Sequence, residues 1–482
     1  MPSASSVVSV GFAVLAGLGW LYWRRYSRRA TIRAVRQFRA RVDRFKLTGK
    51  RYVTDALLGD EAIAAAVQRH AAQHAIPPTK VWQQVRRYLD EIVPIFSVLA
   101  YYQFGLRASR LLLNLFYRVE VKHVREDSFR DLPRESIVIY LMNHRSNADY
   151  VLAGYALAGQ VAISYAVGEW ARVFPLEYIF KTFGSYFIRR RFREPLYHTV
   201  LERYVQLITR NGVTQGIFPE GGLSRDGKLR PAKVGLLDYA LGVARDPGFA
   251  ERLYVVPVAI NYDRVLEDRS LLRELRASEG HRPVGRLTQL REVSRYAAWN
   301  IWRLVARQFR RYGQAAVVIG EPVALAPWFR SLEEQGRGLF TLARPDRLGE
   351  VQRLVDDAMT RIGAILPVTP VPLACAAIQT FDAEFVSRAA LLDRMREVRD
   401  SLVHHQRQVL HANENIADTL DRAFALLHLR RVVTREGAGY VILPRGRELI
   451  SYYANSIAHL LGEFESAVRA RDALPVYAVV DM

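Results

Sequence analysis

The spacing of apolar and polar residues changes along the chain and separates helical parts from a strand-rich middle part. Residues 31–90 place Ala, Val, Ile and Leu between Arg and Gln at helical spacing, and Pro77 and Pro78 break them into two helical parts. From about residue 345 the helical pattern returns, with an interruption at residues 365–379. Two short segments, 430–434 and 440–443, flank the stretch REGAG (435–439) and predict a hairpin after a helix.

The middle of the chain contains short β-branched runs separated by helical stretches. The runs are residues 136–142, 162–167, 185–189, 214–218, 254–260 and 315–319. Alternation of strands and helices predicts an α/β domain with a largely parallel sheet and flanking helices. We predict four parts, namely an apolar anchor with a basic segment (1–51), a helical N-terminal region (52–120), the α/β domain (121–340) and a mainly helical C-terminal domain (341–482).

An uncharged run at residues 7–23 predicts a membrane attachment. Its 17 residues would extend about 26 Å as a helix, against a hydrocarbon core of about 30 Å. The run therefore predicts either a short membrane span or a helix lying in the interface. A signal peptide would need a basic region before Val7, and none precedes it. Aromatic residues at the end of the run, Trp20, Tyr22 and Trp23, suit the membrane–water interface.

The charge of the chain predicts an anionic partner. The formal net charge is +21, and residues 24–51 hold 12 basic residues and one acid, directly after the apolar run. Nucleic acid, a membrane surface and acidic substrates are all compatible with this charge, but its position beside an anchor favours anionic lipid. The single cysteine, Cys375, excludes an internal disulfide and a cysteine-based zinc site.

Two further segments leave alternatives open. Residues 92–105 are apolar and aromatic but too short to span a membrane, so they form either a core helix or an interfacial one. Residues 287–312 predict a helix with an apolar face opposite a row of arginines. That helix either packs on the core with a solvated basic face or contacts lipid headgroups or an acidic carrier protein.

Polar residues follow three of the predicted strands. His144 follows the first run, Arg189 and Arg190 end the third, and Glu220 follows the fourth. Ligand sites of parallel sheets lie at the carboxyl ends of the strands, so these side chains could converge.

The stretch from His144 to Asp149 suits a general base. Five helical residues turn by about 500°, so the pair cannot share a helix face, and His144 must lie in the loop before the helix. Ser146 and Asp149 form a capping-box pattern that places Asp149 in the first turn. A carboxylate bonded to one imidazole nitrogen leaves the other nitrogen as a base for a substrate hydroxyl. The alternative is that Asp149 only caps the helix.

Four blocks together resemble the glycerol-3-phosphate O-acyltransferase family, bacterial membrane-bound type. They read HRSNADY (144–150), GSYFIRR (184–190), FPEGGLSRDGK (218–228) and VPVAINYD (256–263). The tail is similar in LPVTPVPLACAA (366–377) and SYYANSIAH (451–459). The resemblance covers roughly residues 90–480 and makes residues 121–340 an α/β acyltransferase domain.

The resemblance implies transfer of a fatty acyl group from acyl-CoA or acyl carrier protein to the sn-1 hydroxyl of glycerol 3-phosphate. The product would be lysophosphatidate, in the first step of phospholipid synthesis at the cytoplasmic face of a bacterial inner membrane. No metal, cofactor or covalent acyl-enzyme is implied. His144 matches the base and Asp149 its orienting partner. The residues implied in substrate binding are Arg145, Ser146, Arg189, Arg190, Glu220, Gly221, Ser224, Arg225, Lys228 and Pro257.

One position departs from the family pattern. Leu223 stands where the third block usually has an arginine. Either nearby basic residues such as Arg225 and Lys228 compensate, or the acceptor differs and is, for example, lysophosphatidate or dihydroxyacetone phosphate.

Three other classes of function fit the sequence less well. A serine hydrolase would need a G-x-S-x-G elbow, and none occurs in the sequence. A nucleic-acid-binding protein would explain the positive charge, and the C-terminal helix and hairpin could form a winged helix. A catalytically inactive membrane scaffold would not need the intact pair of His144 and Asp149.

Overall fold

A computed structural model describes residues 49–96, 106–157, 163–168, 176–189, 192–278, 311–462 and 464. The predicted anchor at residues 7–23 and most of the predicted helix 287–312 lie outside the described residues. The described residues form two compact units. The first draws on Met1–Arg110 and Gly154–Gln215, and the second on Leu111–Ala153 and Gly216–Met482.

Helices and strands alternate through the middle of the chain. In chain order the helices are α1 (Lys50–Leu58), α2 (Glu61–His74), α3 (Pro78–Ile92), α4 (Leu106–Phe116), α5 (Asp149–Leu157), α6 (Leu176–Thr182), α7 (Pro195–Arg210), α8 (Gly235–Leu241), α9 (Pro247–Ala250), α10 (Asp268–Ser278), α11 (Ala326–Glu334), α12 (Arg344–Ala364), α13 (Pro370–Gln379), α14 (Arg388–His404), α15 (Ile416–Leu429) and α16 (Arg447–Ala454). The strands are β1 (Arg118–His123), β2 (Ile137–Met142), β3 (Ser164–Gly168), β4 (Tyr186–Ile188), β5 (Gln215–Ile217), β6 (Leu253–Tyr262), β7 (Gln314–Ile319), β8 (Val323–Ala324), β9 (Phe385–Ser387), β10 (Val433–Glu436) and β11 (Gly439–Ile442).

The second unit is built on a sheet of strand order β1–β7–β6–β2–β5. β1 pairs with β7 and β2 with β6 in parallel, whereas β7 and the short β8 pair with β6 antiparallel. All six residues of β2 and all six of β7 are buried, as expected of strands covered on both faces. The prediction of an α/β domain with a largely parallel sheet is confirmed; the antiparallel pairing of β6 with β7 was not predicted.

Pro257 lies within the central strand β6, where a proline is unusual because it has no N–H to donate to a neighbouring strand. The carbonyl oxygen of Pro257 accepts a hydrogen bond from Gly320 N (2.8 Å). On the edge of β6 that faces away from β2, the pairing with β7 begins at Val258 and the pairing with β8 ends at Val255. The missing N–H therefore falls in the break between two ladders, and the proline leaves the parallel ladder with β2 intact.

The first unit packs helices beside the parallel pair β3 and β4. Its helix α3 begins at Pro78 and buries Val81, Val85, Leu89 and Ile92, which recur at helical spacing. The helix before it, α2, ends where Ala75 adopts a left-handed conformation (φ 50°). The break predicted at the proline pair is therefore present, and Pro78 occupies the first helical turn, where no N–H partner is needed.

The C-terminal part of the second unit is mainly helical and carries a small antiparallel sheet of order β10–β11–β9. The predicted hairpin is formed by β10 and β11, with Gly437 at its tip in a left-handed conformation (φ 52°). The sequence α13–β9–α14–α15–β10–β11 has the order of elements of a winged helix. Within this part, Asp421 of α15 pairs with Arg388 of α14 (2.6 Å).

Among the helices formed by the described residues, none combines the length and the apolar character required to cross a membrane.

Candidate active site

His144 and Asp149 form a buried dyad at the end of β2. His144 Nδ1 lies 2.9 Å from Asp149 Oδ2, and the two residues are 1% and 0% exposed. His144 is in the loop between β2 and α5, and Asp149 begins α5. The loop thus folds back on the first helical turn, as the spacing of the two residues predicted.

The carboxylate of Asp149 organises the whole loop. Its Oδ2 also accepts hydrogen bonds from Arg145 N (2.6 Å) and Ser146 N (3.0 Å), and its Oδ1 accepts one from the Tyr262 hydroxyl (2.6 Å). The bond from Ser146 N is one half of the predicted capping box. Asp149 therefore caps the helix and orients the imidazole at the same time, so the two readings of this residue are not exclusive.

Aromatic rings hold the imidazole from two sides. The His144 ring stacks on Phe218 with ring centroids 4.3 Å apart, and Tyr150 meets it edge-on at 5.5 Å. The adjacent Asn143 ties the end of β2 to β6, because its side chain donates to Ile260 O (2.9 Å) and accepts from Ile260 N (2.7 Å). The base is therefore fixed in position by packing as well as by hydrogen bonds.

Glu220 supports the backbone of the histidine. Its Oε1 accepts from His144 N (2.8 Å) and its Oε2 from Arg230 N (3.0 Å). Burial raises the pKa of this carboxyl to about 7, against the opposing effect of the two backbone hydrogen bonds and of the Arg145 and Arg230 charges. Two of the three predicted strand ends thus meet here. The predicted role of Glu220 in substrate binding stays a prediction, but both of its oxygens contact the backbone.

The third block forms a tight loop beside the dyad. Gly221 has φ +65°, and a Cβ there would come within 3.0 Å of the Lys233 side chain. Ser224 is buried, donates from its hydroxyl to Lys228 O (2.6 Å), and donates from its backbone N to His144 O (3.2 Å). Ser224 thus fixes the loop to the histidine rather than presenting its hydroxyl outward.

The basic residues predicted for substrate binding occupy different environments. Arg225 is half-exposed and pairs with Glu274 (3.2 Å), and the side chain of Lys228 is exposed. Arg145 is buried and donates from Nη1 to Gly227 O. These three residues belong to the second unit.

Arg189 lies in the first unit, where its guanidinium contacts a carboxylate and three aromatic rings. Its guanidinium forms a bidentate ion pair with Glu91 (Nε–Oε1 3.0 Å, Nη2–Oε2 2.7 Å). It also lies against the rings of Tyr88, Phe192 and Tyr197, with its Cζ 4.9–5.8 Å from their centroids. The neighbouring Arg190 lies outside the described residues.

Comparisons with known proteins indicate which families this chain is similar to. Residues 123–261 match the family model described as Acyltransferase, and residues 298–463 match the one described as Glycerol-3-phosphate acyltransferase C-terminal region. The chain is related to the glycerol-3-phosphate acyltransferases. The resemblance predicted from the four blocks is thereby confirmed.

Individual relatives are distant from this chain and longer than it is. The glycerol-3-phosphate acyltransferase of Aeromonas hydrophila is 28% identical over 433 residues, which cover 86% of this chain and 50% of the relative. That of Alteromonas mediterranea is 26% identical over 429 residues, with the same coverage. The chain thus spans about half the length of the curated relatives it matches. A crystal structure of the 1-acyl-sn-glycerophosphate acyltransferase from Thermotoga maritima matches with a TM-score of 0.27 and 20% identity, covering 50% of this chain and 78% of that one.

The sequence did not predict several residues that hold the dyad in place. Glu267 accepts a hydrogen bond from the Ser146 hydroxyl (2.7 Å), although nothing in the local sequence distinguishes it from other acids. Tyr262 lies in the fourth block, but only its contact with Asp149 gives it a role. Phe218 is the first residue of the third block and Asn143 directly precedes the first block, but only their contacts with His144 and Ile260 give them a role.

Proposed function

We propose that this chain transfers a fatty acyl group from a thioester donor to the sn-1 hydroxyl of glycerol 3-phosphate and so produces lysophosphatidate. The observation that carries the proposal is the buried dyad of His144 and Asp149 at 2.9 Å. Nδ1 faces the carboxylate, so Nε2 is the nitrogen that can accept a proton from a substrate hydroxyl. The two family matches support this choice of reaction.

The geometry supports a direct transfer. His144 Nε2 takes the proton of the acceptor hydroxyl while the oxygen of that hydroxyl attacks the thioester carbonyl carbon. The carbon–sulfur bond then breaks, and the thiolate recovers the proton from the imidazolium. Asp149 keeps the imidazole in the required tautomer and stabilises its positive charge during the transfer. General-base catalysis of this kind contributes roughly 10²–10⁴-fold to the rate.

The proposed acceptor is glycerol 3-phosphate because the relatives carry that substrate in their names and the blocks around the dyad are basic. The proposed donors are acyl-CoA and acyl carrier protein, both of which present a thioester. Lysophosphatidate and dihydroxyacetone phosphate are the alternative acceptors, since Leu223 replaces an arginine of the family pattern.

We propose in addition that the chain acts at an anionic membrane surface, the cytoplasmic face of a bacterial inner membrane. The support is the uncharged run 7–23 followed by a segment of 12 basic residues and one acid. Deleting residues 1–51 should weaken binding to vesicles that contain anionic lipid and make the remaining binding more sensitive to salt. Unchanged binding of the truncated chain to those vesicles would contradict the proposal.

The function is tested with purified full-length chain, palmitoyl-CoA and labelled glycerol 3-phosphate. We expect labelled lysophosphatidate. His144→Ala should abolish its formation, and the matched control His404→Ala, at an exposed position on α14, should not. Parallel reactions with dihydroxyacetone phosphate and lysophosphatidate identify the acceptor. A wild-type protein that acylates none of the three acceptors would refute the proposal.

A further inference from the structure

The catalytic loop, residues 144–149, has an acceptor for every one of its backbone N–H groups. Of these six hydrogen bonds, four go to carboxylates, which are those of Glu220, Asp149 and Glu267. The other two go to the hydroxyl oxygen and the carbonyl oxygen of Ser146. Because buried backbone donors need acceptors, these bonds together specify the conformation of the loop. Of the three carboxylates, only Glu267 lies outside the four sequence blocks.

Glu267 accepts two hydrogen bonds from the middle of the catalytic loop. Its Oε2 accepts from the Ser146 hydroxyl (2.7 Å), and its Oε1 accepts from Asn147 N (3.3 Å). The oxygen of the Ser146 hydroxyl in turn accepts from Ala148 N (3.1 Å), just before α5. The single proton of this hydroxyl is thereby directed at Glu267. Removal of the carboxylate would leave two donors of the loop without their acceptor.

The carboxylate of Glu267 acts on the loop through these hydrogen bonds rather than through its charge. Burial raises the pKa of this carboxyl, the hydrogen bond from the Ser146 hydroxyl lowers it, and the charge of Asp149 raises it. The negative charges of Glu267 and Asp149 therefore oppose each other. What Glu267 contributes is a pair of acceptor oxygens in fixed positions.

The position of Glu267 is fixed by contacts on both sides of it in the chain. The next residue, Asp268, is buried and forms a bidentate ion pair with Arg430 (Nη1–Oδ2 2.7 Å, Nη2–Oδ1 2.8 Å). The Tyr453 hydroxyl donates to Asp268 Oδ2 (2.6 Å) and accepts from Val265 N (3.1 Å). The connection between β6 and α10 is thus held before and after Glu267 by one buried network.

Both partners of Asp268 come from the mainly helical C-terminal part. Arg430 directly follows α15, and Tyr453 lies in α16. We infer that Glu267 is a positioning residue for the acyl transfer, which holds the catalytic loop in its reactive conformation and is itself held by the C-terminal part through Asp268. The inference rests on the proposed function. Glu267 acts through the loop and not on the substrate, so its loss should lower kcat and leave substrate affinity unchanged.

The test uses the full-length protein and three variants, Glu267→Ala, Glu267→Gln and Tyr453→Phe. The matched control is Arg347→Gln, which breaks a partly buried ion pair with Asp238 (3.1 Å) in the same unit. For each protein we measure kcat, the KM for glycerol 3-phosphate, the KM for palmitoyl-CoA and the unfolding midpoint. Deuterium uptake by the peptide that covers residues 144–149 reports on the loop without any substrate.

We expect Glu267→Ala to lower kcat about 10- to 100-fold, with both KM values within about 2-fold of the wild type. Glu267→Gln keeps one acceptor oxygen, so its kcat should fall only about 2- to 10-fold. Tyr453→Phe, which loosens the connection that carries Glu267, should lower kcat by a similar factor. Arg347→Gln should lower the unfolding midpoint and keep the wild-type kcat. Wild-type kcat in a folded Glu267→Ala protein would overturn the inference.

A double-mutant cycle shows whether Glu267 acts through the loop. Because the Ser146 hydroxyl and Glu267 share one hydrogen bond, the losses of kcat in Ser146→Ala and Glu267→Ala should combine to less than their product. Likewise, Tyr453→Phe should add little to the loss in a Glu267→Ala background. Losses that multiply fully in both pairs would mean that these residues act independently, and would refute the positioning role.

Deuterium uptake separates this inference from the proposed function. In Glu267→Ala the loop peptide should exchange at least about 10-fold faster than in the wild type, because Asn147 N loses its acceptor, and the control should not differ. If the wild type forms no product but this difference is present, the positioning role stands and the proposed function falls. Unchanged exchange in Glu267→Ala refutes the positioning role whatever the activity. Should Glu267→Ala not fold, the same comparisons are made with Glu267→Gln and Tyr453→Phe.

Discussion

The carboxyl of Glu220 predicts a specific dependence of stability on pH. Its pKa is raised from 4.5 to about 7 because the group is buried. The folded state therefore binds a proton more tightly than the unfolded state does. The contribution of Glu220 to stability is fully present below pH 4.5 and is lost as the pH rises towards 7.

The size of the effect follows from the two pKa values. A difference of roughly 2.5 units at about 1.4 kcal/mol per unit gives about 3 kcal/mol in all, of which about 2 kcal/mol falls between pH 5 and pH 7.5. Glu220→Gln cannot ionise, so its free energy of unfolding should lack this component. The variant also places an amide NH₂ against one of the two backbone N–H groups, which costs roughly 1–3 kcal/mol at every pH.

The assay is denaturant unfolding at pH 5 and pH 7.5 for the wild type, Glu220→Gln and the exposed control Glu384→Gln. Comparing the variant with the wild type at each pH cancels the other titrating groups, including Asp263, whose pKa burial raises to about 6. The free energy of unfolding of Glu220→Gln, relative to that of the wild type, should rise by about 2 kcal/mol between pH 5 and pH 7.5. An identical difference at both pH values would refute the reasoning that burial dominates at Glu220.

Three further substitutions test the roles of individual residues. Asp149→Asn retains an oxygen for the loop N–H groups but loses the charge, so kcat should fall roughly 10²–10⁴-fold while the unfolding midpoint changes little. A near-normal kcat would contradict the assigned role. Arg189→Gln breaks the ion pair with the buried Glu91, so we expect the free energy of unfolding to fall by roughly 2–3 kcal/mol, with little change in the KM for glycerol 3-phosphate. Combining it with Glu91→Gln should recover part of this loss. No recovery would show that the ion pair is not the cause. Leu223→Arg should leave the KM for glycerol 3-phosphate unchanged or lower it; a large increase would show that this position cannot hold a cation.

The parts of the site that were predictable from sequence are local in the chain. The dyad and half of the capping box depend on residues within five positions of each other, so their spacing was enough. The strands were predictable because buried parallel strands form continuous β-branched runs. The hairpin near the C terminus was predictable from its turn residues, although its strands are shifted by a few residues.

The parts that were not predictable depend on distant contacts. β1 has an intermediate burial pattern with charged residues, so it gave no apolar run, and only its pairing with β7 identifies it as a strand. Glu267 reaches Ser146 across 121 positions of sequence. The ion pair that engages Arg189 spans 98 positions. In each case the partner is chosen by the fold and leaves no local pattern.

The prediction for Arg189 and Arg190 can be compared with the structure only for Arg189, because Arg190 lies outside the described residues. Alternation along a strand predicts that Arg189 and Arg190 face opposite ways, so that one points into the site and the other packs outward or pairs with an acid. Arg189 is paired with Glu91. The role of either arginine in substrate binding stays a prediction.

The most direct test of the central claim is acyl transfer by the full-length protein with His144 intact and with His144→Ala. The account predicts that the wild type forms labelled lysophosphatidate from palmitoyl-CoA and glycerol 3-phosphate. It also predicts that His144→Ala keeps the wild-type unfolding midpoint within a few degrees and loses activity by at least about 10²-fold. A folded His144→Ala protein with near-normal turnover would contradict the claim that this histidine is the general base.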